Sequence, residues 1–260
     1  MTDGETALPT LNPRSVIGSE TVVSKTFVLV HGAWHGGWCW TRVAEGLLAR
    51  GHRVHAPTLT GLGERSHLLS DKISLTTHVD DVVNLLQWND LAGVTLCGHS
   101  YAGFVVSAVT ERVPSGTIDS IILLDAFFPE NGQCMEDLTG PVTHNPAWKA
   151  ALEQNGGLAV PAPPAAFFGV NEADRAWVDA KCTAHPYRTF SEKIILSGAR
   201  ERIARKVYIR SAENPAPLFL QTFSELKANP SWETHEVAAG HDLMVDAPER
   251  LVEILVGEDG

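Results

Sequence analysis

Short, uninterrupted apolar runs recur along most of the chain and predict buried β-strands. Strands in the middle of a parallel sheet are covered on both faces, so they read as continuous apolar runs rather than as an apolar–polar alternation. Six such runs are present. They are Thr26–Val30, Arg53–Ala56, Val94–Cys97, Ser120–Asp125, Lys206–Arg210 and Thr234–Ala238.

Between these runs, apolar residues follow a helical period. Val79, Val82, Val83 and Leu86 fall at i, i+3, i+4 and i+7, which predicts an amphipathic helix with Thr77 as its N-cap. Strands separated by helices indicate an α/β fold, a mostly parallel sheet of about six strands with helices on both faces. The other predicted helices contain Val43, Leu47 and Leu48, span Phe104–Val109 and Leu218–Leu226, or start from an Asp246 cap with Pro248 in the first turn.

The alternation stops between residues 129 and 200, where proline and glycine interrupt two helical stretches, near Pro146–Gln154 and Asn171–Cys182. We interpret residues 129–200 as a helical cap inserted into a core formed by residues 25–128 and 201–260. Residues 1–24 contain acids and prolines but no apolar block, which predicts a flexible leader and neither a signal peptide nor a membrane span.

Charge and cysteine usage exclude several function classes. With 20 Lys and Arg against 31 Asp and Glu, the net charge is −11, which disfavours binding to nucleic acid or to an anionic membrane. The four cysteines form no Cys-x-x-Cys pair, and the eleven histidines show no metal-ligand spacing. We therefore expect a cytoplasmic protein with reduced thiols and no metal site.

One motif combines a strand, a sharp turn and a helix. Residues 98–103, Gly-His-Ser-Tyr-Ala-Gly, include the pattern Gly98-x-Ser100-x-Ala102, one glycine short of the usual nucleophile elbow. The turn strains the backbone at the serine and tolerates only small neighbours two residues away. A glycine-rich turn with an incidental serine is the alternative, and the flanking strand and helix favour the elbow.

Other polar residues follow strands that end at the same edge of the predicted sheet. Asp125 ends the fourth run, and His241 follows the last run after a glycine. The order Ser100, Asp125, His241 is the nucleophile–acid–histidine order of α/β-hydrolases. In that interpretation His241 takes the serine proton and a carboxylate orients its ring. The alternatives are that Asp125 only caps a turn and that Glu213 is the orienting acid.

The remaining candidates surround these three residues. The backbone N–H groups of Ala33 and Tyr101 are the predicted oxyanion donors. Aromatic residues in the loops and the cap predict an apolar or aryl pocket, formed by Trp34, Phe127, Trp148 and Phe168. Most other histidines are predicted to be structural: His31 and His99 brace loops, His52, His55, His67, His78 and His235 lie at the surface or in helices, and His144 and His185 belong to the cap.

Three motifs carry a resemblance to a known family. Residues 27–38 (Phe-Val-Leu-Val-His-Gly-Ala-Trp-His-Gly-Gly-Trp), residues 98–103 and Gly240-His241 resemble the hydroxynitrile lyase and plant methylesterase branch of the α/β-hydrolases. Residues 56–67 (Ala-Pro-Thr-Leu-Thr-Gly-Leu-Gly-Glu-Arg-Ser-His) and 125–129 (Asp-Ala-Phe-Phe-Pro) resemble bacterial esterases of that branch. The resemblance covers roughly residues 25–256 and implies the α/β-hydrolase fold, a Ser–His–acid triad, no cofactor, a helical cap and a homodimer.

Two departures from that branch affect the predicted reaction. The lyases that this chain resembles carry a threonine at the position of Gly32 and a lysine at the position of Asp242, and these groups handle cyanohydrin and cyanide. The family's usual acid position holds Asn214, and an amide is a poor substitute for a carboxylate. We predict a serine hydrolase that cleaves small apolar or aromatic carboxylic esters through an acyl-enzyme. The alternatives are a lyase or a carbon–carbon bond hydrolase of the same fold, and a small-ligand binder with little turnover.

Overall fold

The computed structural model describes residues 24–257. Six strands form one parallel sheet in the order β2-β1-β3-β4-β7-β8, and two short strands, β5 and β6, form an antiparallel ribbon. The strands are β1 (Thr26–Val30), β2 (Arg53–His55), β3 (Val94–His99), β4 (Ile118–Leu124), β5 (Ala159–Val160), β6 (His185–Pro186), β7 (Arg205–Ser211) and β8 (Glu233–Val237).

Helices cover both faces of this sheet. The chain moves from β1 to β2 in one direction and from β3 through β8 in the other, so right-handed crossovers put α1 on the opposite face from α2 and α3. In agreement, α1 packs on α10, and α2 packs on α3. The helices are α1 (Thr41–Ala49), α2 (Leu75–Trp88), α3 (Ala102–Thr110), α4 (Met135–Thr139), α5 (Pro146–Gln154), α6 (Arg175–Lys181), α7 (Arg188–Ser191), α8 (Pro217–Lys227), α9 (Leu243–Asp246) and α10 (Pro248–Val256).

Two predicted helix caps are wrong. The N-cap of α2 is Ser74, which forms a capping box with Thr77, the N3 residue. The last helix is preceded by a short one, α9, which ends at Asp246, so the N-cap of α10 is Ala247. Asp246 accepts instead a hydrogen bond from the side chain of Asn171 at 2.7 Å. The predicted caps lie three residues and one residue from the observed ones, and Pro248 occupies the first turn of α10 as expected.

Several side chains also lie elsewhere than expected. His52 is buried and outside any helix, and its Nδ1 accepts the backbone N–H of Lys25. His78 lies in α2, as predicted, but on its buried face, where Nε2 donates to the Thr60 carbonyl. Leu48, predicted on the apolar face of α1, is 55% exposed, because the buried face of this nine-residue helix carries only Val43 and Leu47.

The insertion between β4 and β7 contains helices α4 to α7 and the β5–β6 ribbon. Its second helical stretch is shorter than predicted, since α6 begins at Arg175. Most buried apolar residues of this insertion belong to the same cluster as those of the sheet. The boundaries of core and cap stay a prediction. Of the predicted leader, residues 1–23 lie outside the described residues.

The sheet topology fixes where a functional site can form. Its strand order reverses direction at β1 and β3, whose carboxyl ends open toward the loops that follow Val30 and His99. In open α/β sheets, ligands bind at such a switch point. Within residues 24–257, no helix is long and apolar enough to cross a membrane.

Candidate active site

Ser100 occupies a tight turn between β3 and α3. Its φ of +53° is in the left-handed region, which costs a non-glycine residue free energy and is stable only when the surroundings enforce it. Small neighbours make the turn sterically accessible, as the sequence predicted. A Cβ at Gly98 would lie 2.6 Å from Val106 Cγ2, and one at Gly103 would lie 1.9 Å from the carbonyl oxygen of Phe127.

Ser100, His241 and Asp125 form a continuous chain of hydrogen bonds. Ser100 Oγ lies 2.9 Å from His241 Nε2, and His241 Nδ1 lies 2.6 Å from Asp125 Oδ2. Because a carboxylate only accepts, the proton on the histidine ring belongs on Nδ1, which leaves Nε2 free to accept from the serine hydroxyl. The three side chains come from three different loops at the carboxyl edge of the sheet.

The carboxylate of Asp125 is fully buried and held by several donors. Its Oδ1 accepts the Ser211 backbone N–H at 3.1 Å, and its Oδ2 accepts the Asn214 side-chain N–H at 2.6 Å. Asn214 Nδ2 also lies 3.2 Å from His241 Nδ1. Asn214, at the position that the resemblance implies for the acid, therefore lies beside His241 and donates to the Asp125 carboxylate. Glu213 is exposed, and its backbone N–H donates a hydrogen bond to the Ala239 carbonyl.

The two predicted oxyanion donors lie on either side of Ser100. Ala33 follows β1, and Tyr101 is the residue after the nucleophile. Among residues 24–257, neither backbone N–H donates a hydrogen bond to another protein group. The side chain of Tyr101 is buried, and its hydroxyl donates to His78 Nδ1 at 3.1 Å. Two buried backbone donors without a protein partner are suited to an anionic oxygen of a substrate.

Aromatic rings cover the His241 imidazole. The rings of Phe168 and Phe219 stack on it with centroid distances of 6.2 and 5.4 Å, each tilted by 27°. Phe219 was not singled out from the sequence, where it is one apolar residue among several in α8. The ring of Phe127, a predicted pocket residue, contacts that of Phe219 at 5.1 Å between centroids and is 7% exposed.

Trp34 and Trp148 connect the loop after β1 with the cap. Trp34 is 6% exposed, its Nε1–H donates to the Val160 carbonyl at 3.1 Å, and its ring lies 5.8 Å from that of Trp148. Trp34 therefore connects the loop after β1 to the insertion through Val160 and Trp148. Trp148 is only partly buried, so more of its ring is available to a ligand.

Four buried histidines connect the loops around this site through hydrogen bonds of their ring nitrogens. The ring of His31 bonds to Gly32 and Leu59, and that of His78 bonds to Thr60 and Tyr101. The ring of His99 donates to the His241 carbonyl, and that of His185 bonds to Trp34 and Thr189. Each can satisfy these bonds as a neutral imidazole with one N–H. Burial lowers the pKa of all four, to about 3 for His31 and about 4 for His78. The prediction that His31 and His99 brace loops agrees with these contacts.

A fifth buried histidine was not singled out from the sequence. His35 lies between the Ala33 carbonyl and the Asp242 carboxylate, whose Oδ2 is 3.0 Å from Nε2. Asp242 was noted only as the residue that replaces the lysine of the lyases. The two residues are 207 positions apart, and nothing in the sequence pairs them. Within residues 24–257, no group of three or more His, Cys, Asp or Glu side chains is arranged to hold a metal ion.

Comparison with known proteins places the chain in a family. Residues 27–254 match the alpha/beta hydrolase family, which is nearly the whole of the described chain. The chain belongs to this family. The chain is also 38% identical over 240 residues to a carbendazim hydrolyzing esterase from Nocardioides sp. (strain SG-4G), across 88% of this chain and 97% of that protein.

Further relatives agree with the predicted branch. Methylesterase 10 from Arabidopsis thaliana is 34% identical over 106 residues, which are 40% of this chain and 38% of that protein. A solved structure of an extracellular alpha/beta-hydrolase from a Paenibacillus species superposes with a TM-score of 0.77 at 24% identity, over 90% of this chain and 98% of that one. The predicted fold and family are confirmed, and the esterases among the relatives confirm a carboxylic-ester hydrolase.

Proposed function

We propose that this α/β-hydrolase cleaves carboxylic esters through an acyl-enzyme on Ser100, with His241 as the base and Asp125 as the orienting acid. The single observation that carries the proposal is the hydrogen-bond chain Ser100–His241–Asp125, at 2.9 and 2.6 Å. A serine hydroxyl is a weak nucleophile at neutral pH, so a base within hydrogen-bond distance is what distinguishes a reactive serine from an ordinary one.

The proposed reaction has two halves. Ser100 Oγ attacks the ester carbonyl while its proton moves to His241 Nε2, and the Asp125 carboxylate stabilises the imidazolium that forms. The N–H groups of Ala33 and Tyr101 stabilise the oxyanion of the tetrahedral intermediate. His241 then gives its proton to the leaving alcohol. A water molecule, deprotonated by His241, attacks the acyl-enzyme and releases the acid.

The proposed substrates are small esters with an apolar or aromatic part. The rings of Phe168 and Phe219 lie beside His241, and the partly buried Trp148 lies at the cap, so the substrate meets flat apolar surfaces near the reacting atoms. No charged side chain is hydrogen-bonded to Ser100 or His241 apart from Asp125, in residues 24–257. An uncharged ester therefore suits the site better than an ionic one.

A lyase activity on cyanohydrins is not favoured. A Cβ at Gly32 would lie 2.7 Å from His99 Nδ1 and 3.0 Å from Ser100 Cβ, so a threonine has no room there. At the other position, the carboxylate of Asp242 is buried and paired with His35, which leaves no place for a lysine. We expect mandelonitrile cleavage to be negligible beside ester turnover, and comparable rates would contradict the proposed reaction.

Ester turnover by matched serine variants tests the proposal. Purified protein is assayed with aryl, alkyl and methyl esters, and Ser100→Ala is compared with Ser66→Ala, which changes an exposed serine. Ser100→Ala is expected to lose about 10⁴-fold or more of kcat, and Ser66→Ala to behave as the unsubstituted protein. Full activity in a folded Ser100→Ala variant would overturn the proposal.

The similarity to the carbendazim hydrolyzing esterase adds one substrate to this screen. Because the two chains align over nearly their whole length at 38% identity, carbendazim, whose carbamate carbonyl can be attacked by a serine as an ester carbonyl is, belongs in the assay. Turnover of carbendazim that disappears in Ser100→Ala would extend the proposed activity to aromatic carbamates.

A further inference from the structure

His35 differs from the other buried histidines in what its two ring nitrogens face. Nδ1 lies 2.8 Å from the carbonyl oxygen of Ala33, and Nε2 lies 3.0 Å from Asp242 Oδ2. A carbonyl oxygen only accepts, and so does an ionised carboxylate. A neutral imidazole has one N–H and can satisfy only one of them. With Asp242 ionised, both bonds require an imidazolium, and the two charges then cancel.

The surroundings favour that charge distribution. Burial works to lower the pKa of His35, but the charge and hydrogen bond of Asp242, together with Cys182, raise it well above the usual value. Burial likewise works to raise the pKa of Asp242, and the charge and hydrogen bond of His35 reverse that effect. Four other titratable groups that face His35 or Asp242 do not compete for the proton. Burial lowers the pKa of His31, His99 and His185, and it raises the pKa of the Cys39 thiol. Cys182 and His241 also face the pair.

The pair joins the two loops that carry the proposed catalytic groups. On one side, the His35 Nδ1–H fixes the carbonyl of Ala33, the residue whose own N–H is a proposed oxyanion donor. On the other side, Asp242 follows His241 directly. His99, which precedes Ser100, donates to the His241 carbonyl at 2.9 Å and lies 3.9 Å from the Asp242 carboxylate. A movement of the pair would therefore shift the oxyanion donor relative to the base.

Packing holds His35 in this orientation. The ring is 1% exposed, stacks on Trp38 at 5.3 Å between centroids and meets the edge of Phe168 at 5.2 Å. An ion pair without water around it is strong only when its geometry is fixed and its remaining hydrogen bonds are made. His35 makes both of its bonds, and Trp38 and Phe168 prevent its ring from turning away. On the carboxylate, Oδ2 bonds to His35, whereas Oδ1 has no hydrogen-bond partner among residues 24–257 and lies 3.9 Å from His99 Nε2.

We propose that His35 remains an imidazolium throughout the working pH range and that the His35–Asp242 ion pair is a positioning device, which keeps the Ala33 N–H aligned with Ser100 and His241. The part that concerns catalysis rests on the proposed function, because it needs an oxyanion at Ala33. The protonation state of His35 does not. It can be measured on the resting protein, whatever reaction the site performs.

Nitrogen NMR of the histidine-labelled protein tests the protonation state without any substrate. Between about pH 6 and about pH 9, one histidine is expected to keep protons on both ring nitrogens, while a surface histidine loses one near its ordinary pKa of about 6.5. His35→Gln assigns the signal by removing it, and Asp242→Asn assigns it independently by shifting its titration into the neutral range. Absence of a doubly protonated histidine above about pH 8 would overturn the proposal.

Kinetics of Asp242→Asn test the positioning role. The amide keeps the shape and can still accept one hydrogen bond, but it carries no charge, so burial lowers the pKa of His35 into the neutral range and one of the two bonds breaks when the proton leaves. We expect kcat to fall by about 10- to 100-fold, less than the 10²–10³-fold loss of a whole oxyanion donor, with little change in KM. The activity that remains is expected to decline as the pH rises and His35 loses its proton, whereas the unsubstituted enzyme shows no such decline.

A surface ion pair provides the matched control. Asp80 and Arg112 lie 2.9 Å apart at exposed positions, so Asp80→Asn removes the same charge without touching the site and is expected to leave kcat and its pH profile unchanged. If Asp242→Asn folds and has the same kcat and the same pH profile as Asp80→Asn, the positioning role is wrong. Acyl-enzyme formation at Ser100 is measured separately, so its failure would count against the proposed function and leave the NMR result intact.

Discussion

At the scale of single residues, the proposed orienting acid departs most from the pattern that the sequence resemblance implies. Asp125 follows β4, and its carboxylate reaches His241 Nδ1 at 2.6 Å, while the position that the resemblance implies for the acid holds Asn214. The amide of Asn214 donates to the Asp125 carboxylate at 2.6 Å. The two residues thus have complementary chemistry, since one supplies the negative charge and the other a hydrogen bond that favours it.

Asp125→Asn and Glu213→Gln separate the two candidate acids. Asp125→Asn is expected to lower kcat by about 10⁴-fold, the loss seen when the orienting carboxylate of a serine protease triad becomes an amide. Glu213 is exposed and is expected to tolerate Gln without loss. Both variants are compared by thermal unfolding and by steady-state kinetics. A nearly unaffected Asp125→Asn beside a crippled Glu213→Gln would reverse the assignment.

An exchange of the two residues tests the same geometry more sharply. Asn214 Nδ2 lies 3.2 Å from His241 Nδ1, so a carboxylate at position 214 would be within reach of the ring. The double variant Asp125→Asn with Asn214→Asp is expected to recover most of the activity that Asp125→Asn loses, because the new carboxylate takes over and the new amide donates to it. A double variant no better than the single one would show that only Asp125 can orient His241.

The sequence was enough to single out the three main residues of the candidate site, but not the side chains that surround them. Ser100, Asp125 and His241 each follow a recognisable strand, so their common edge could be predicted from the parallel topology. The His35–Asp242 pair and the place of Phe219 could not, because they depend on how distant loops approach one another. The N-cap of α2 was predicted wrongly for a local reason. Ser74 and Thr77 are both residue types that favour the N-cap position, and only the backbone conformation decides between them.

At the scale of elements, the insertion between β4 and β7 contacts His241 directly. The backbone N–H of His241 donates to the Phe168 carbonyl at 2.8 Å, and the Phe168 ring stacks on the imidazole. The approach is close, since a Cβ at Gly240 would lie 2.4 Å from the Gly169 carbonyl oxygen. The short 3₁₀ turn Ala165–Phe168 therefore supports His241 through its backbone and covers one face of the imidazole with the Phe168 ring.

Substitution of cap aromatics tests this division of roles. Trp148→Ala is expected to change the relative kcat/KM values of aryl, alkyl and methyl esters, because this partly buried ring contributes contact area without touching His241. Phe168→Ala is expected to lower the rates for all esters as well, since it also uncovers one face of the imidazole. Phe167→Ala, which removes an exposed neighbouring ring, is the control. If Trp148→Ala lowers kcat/KM by the same factor for every ester, or for none, Trp148 does not line the pocket.

At the scale of the whole molecule, four neutral histidines in the interior make the fold sensitive to acid. Burial lowers the pKa of His31, His78, His99 and His185. Below their unfolded pKa of about 6.5, the unfolded chain binds protons that the folded chain does not, so stability falls as the pH falls. His35 has the opposite sign: its raised pKa contributes stability at low pH that is lost as the pH rises through that value.

Unfolding midpoints at several pH values measure this effect. Each of the four histidines contributes a slope of about 1.4 kcal/mol per pH unit below about pH 6.5, so the four together cost about 5 kcal/mol per unit, a large part of a typical domain's stability. We expect the denaturant midpoint to fall steeply between about pH 6.5 and about pH 5, above the range in which carboxylates titrate. His78→Gln should make the slope shallower, and exposed His67→Gln should not. A midpoint that stays constant to about pH 5 would contradict this account.

Trapping the nucleophile is the most direct test of the proposed chemistry. The protein is treated with an aryl organophosphonate, digested and analysed by mass spectrometry, alongside His241→Ala as a variant that keeps the serine and lacks its base. We expect one phosphonyl group, on the peptide that contains Ser100, and a greatly reduced rate of labelling in His241→Ala. Activity lost with the label on any other residue, or labelling of Ser100 that is equally fast without His241, would contradict the account.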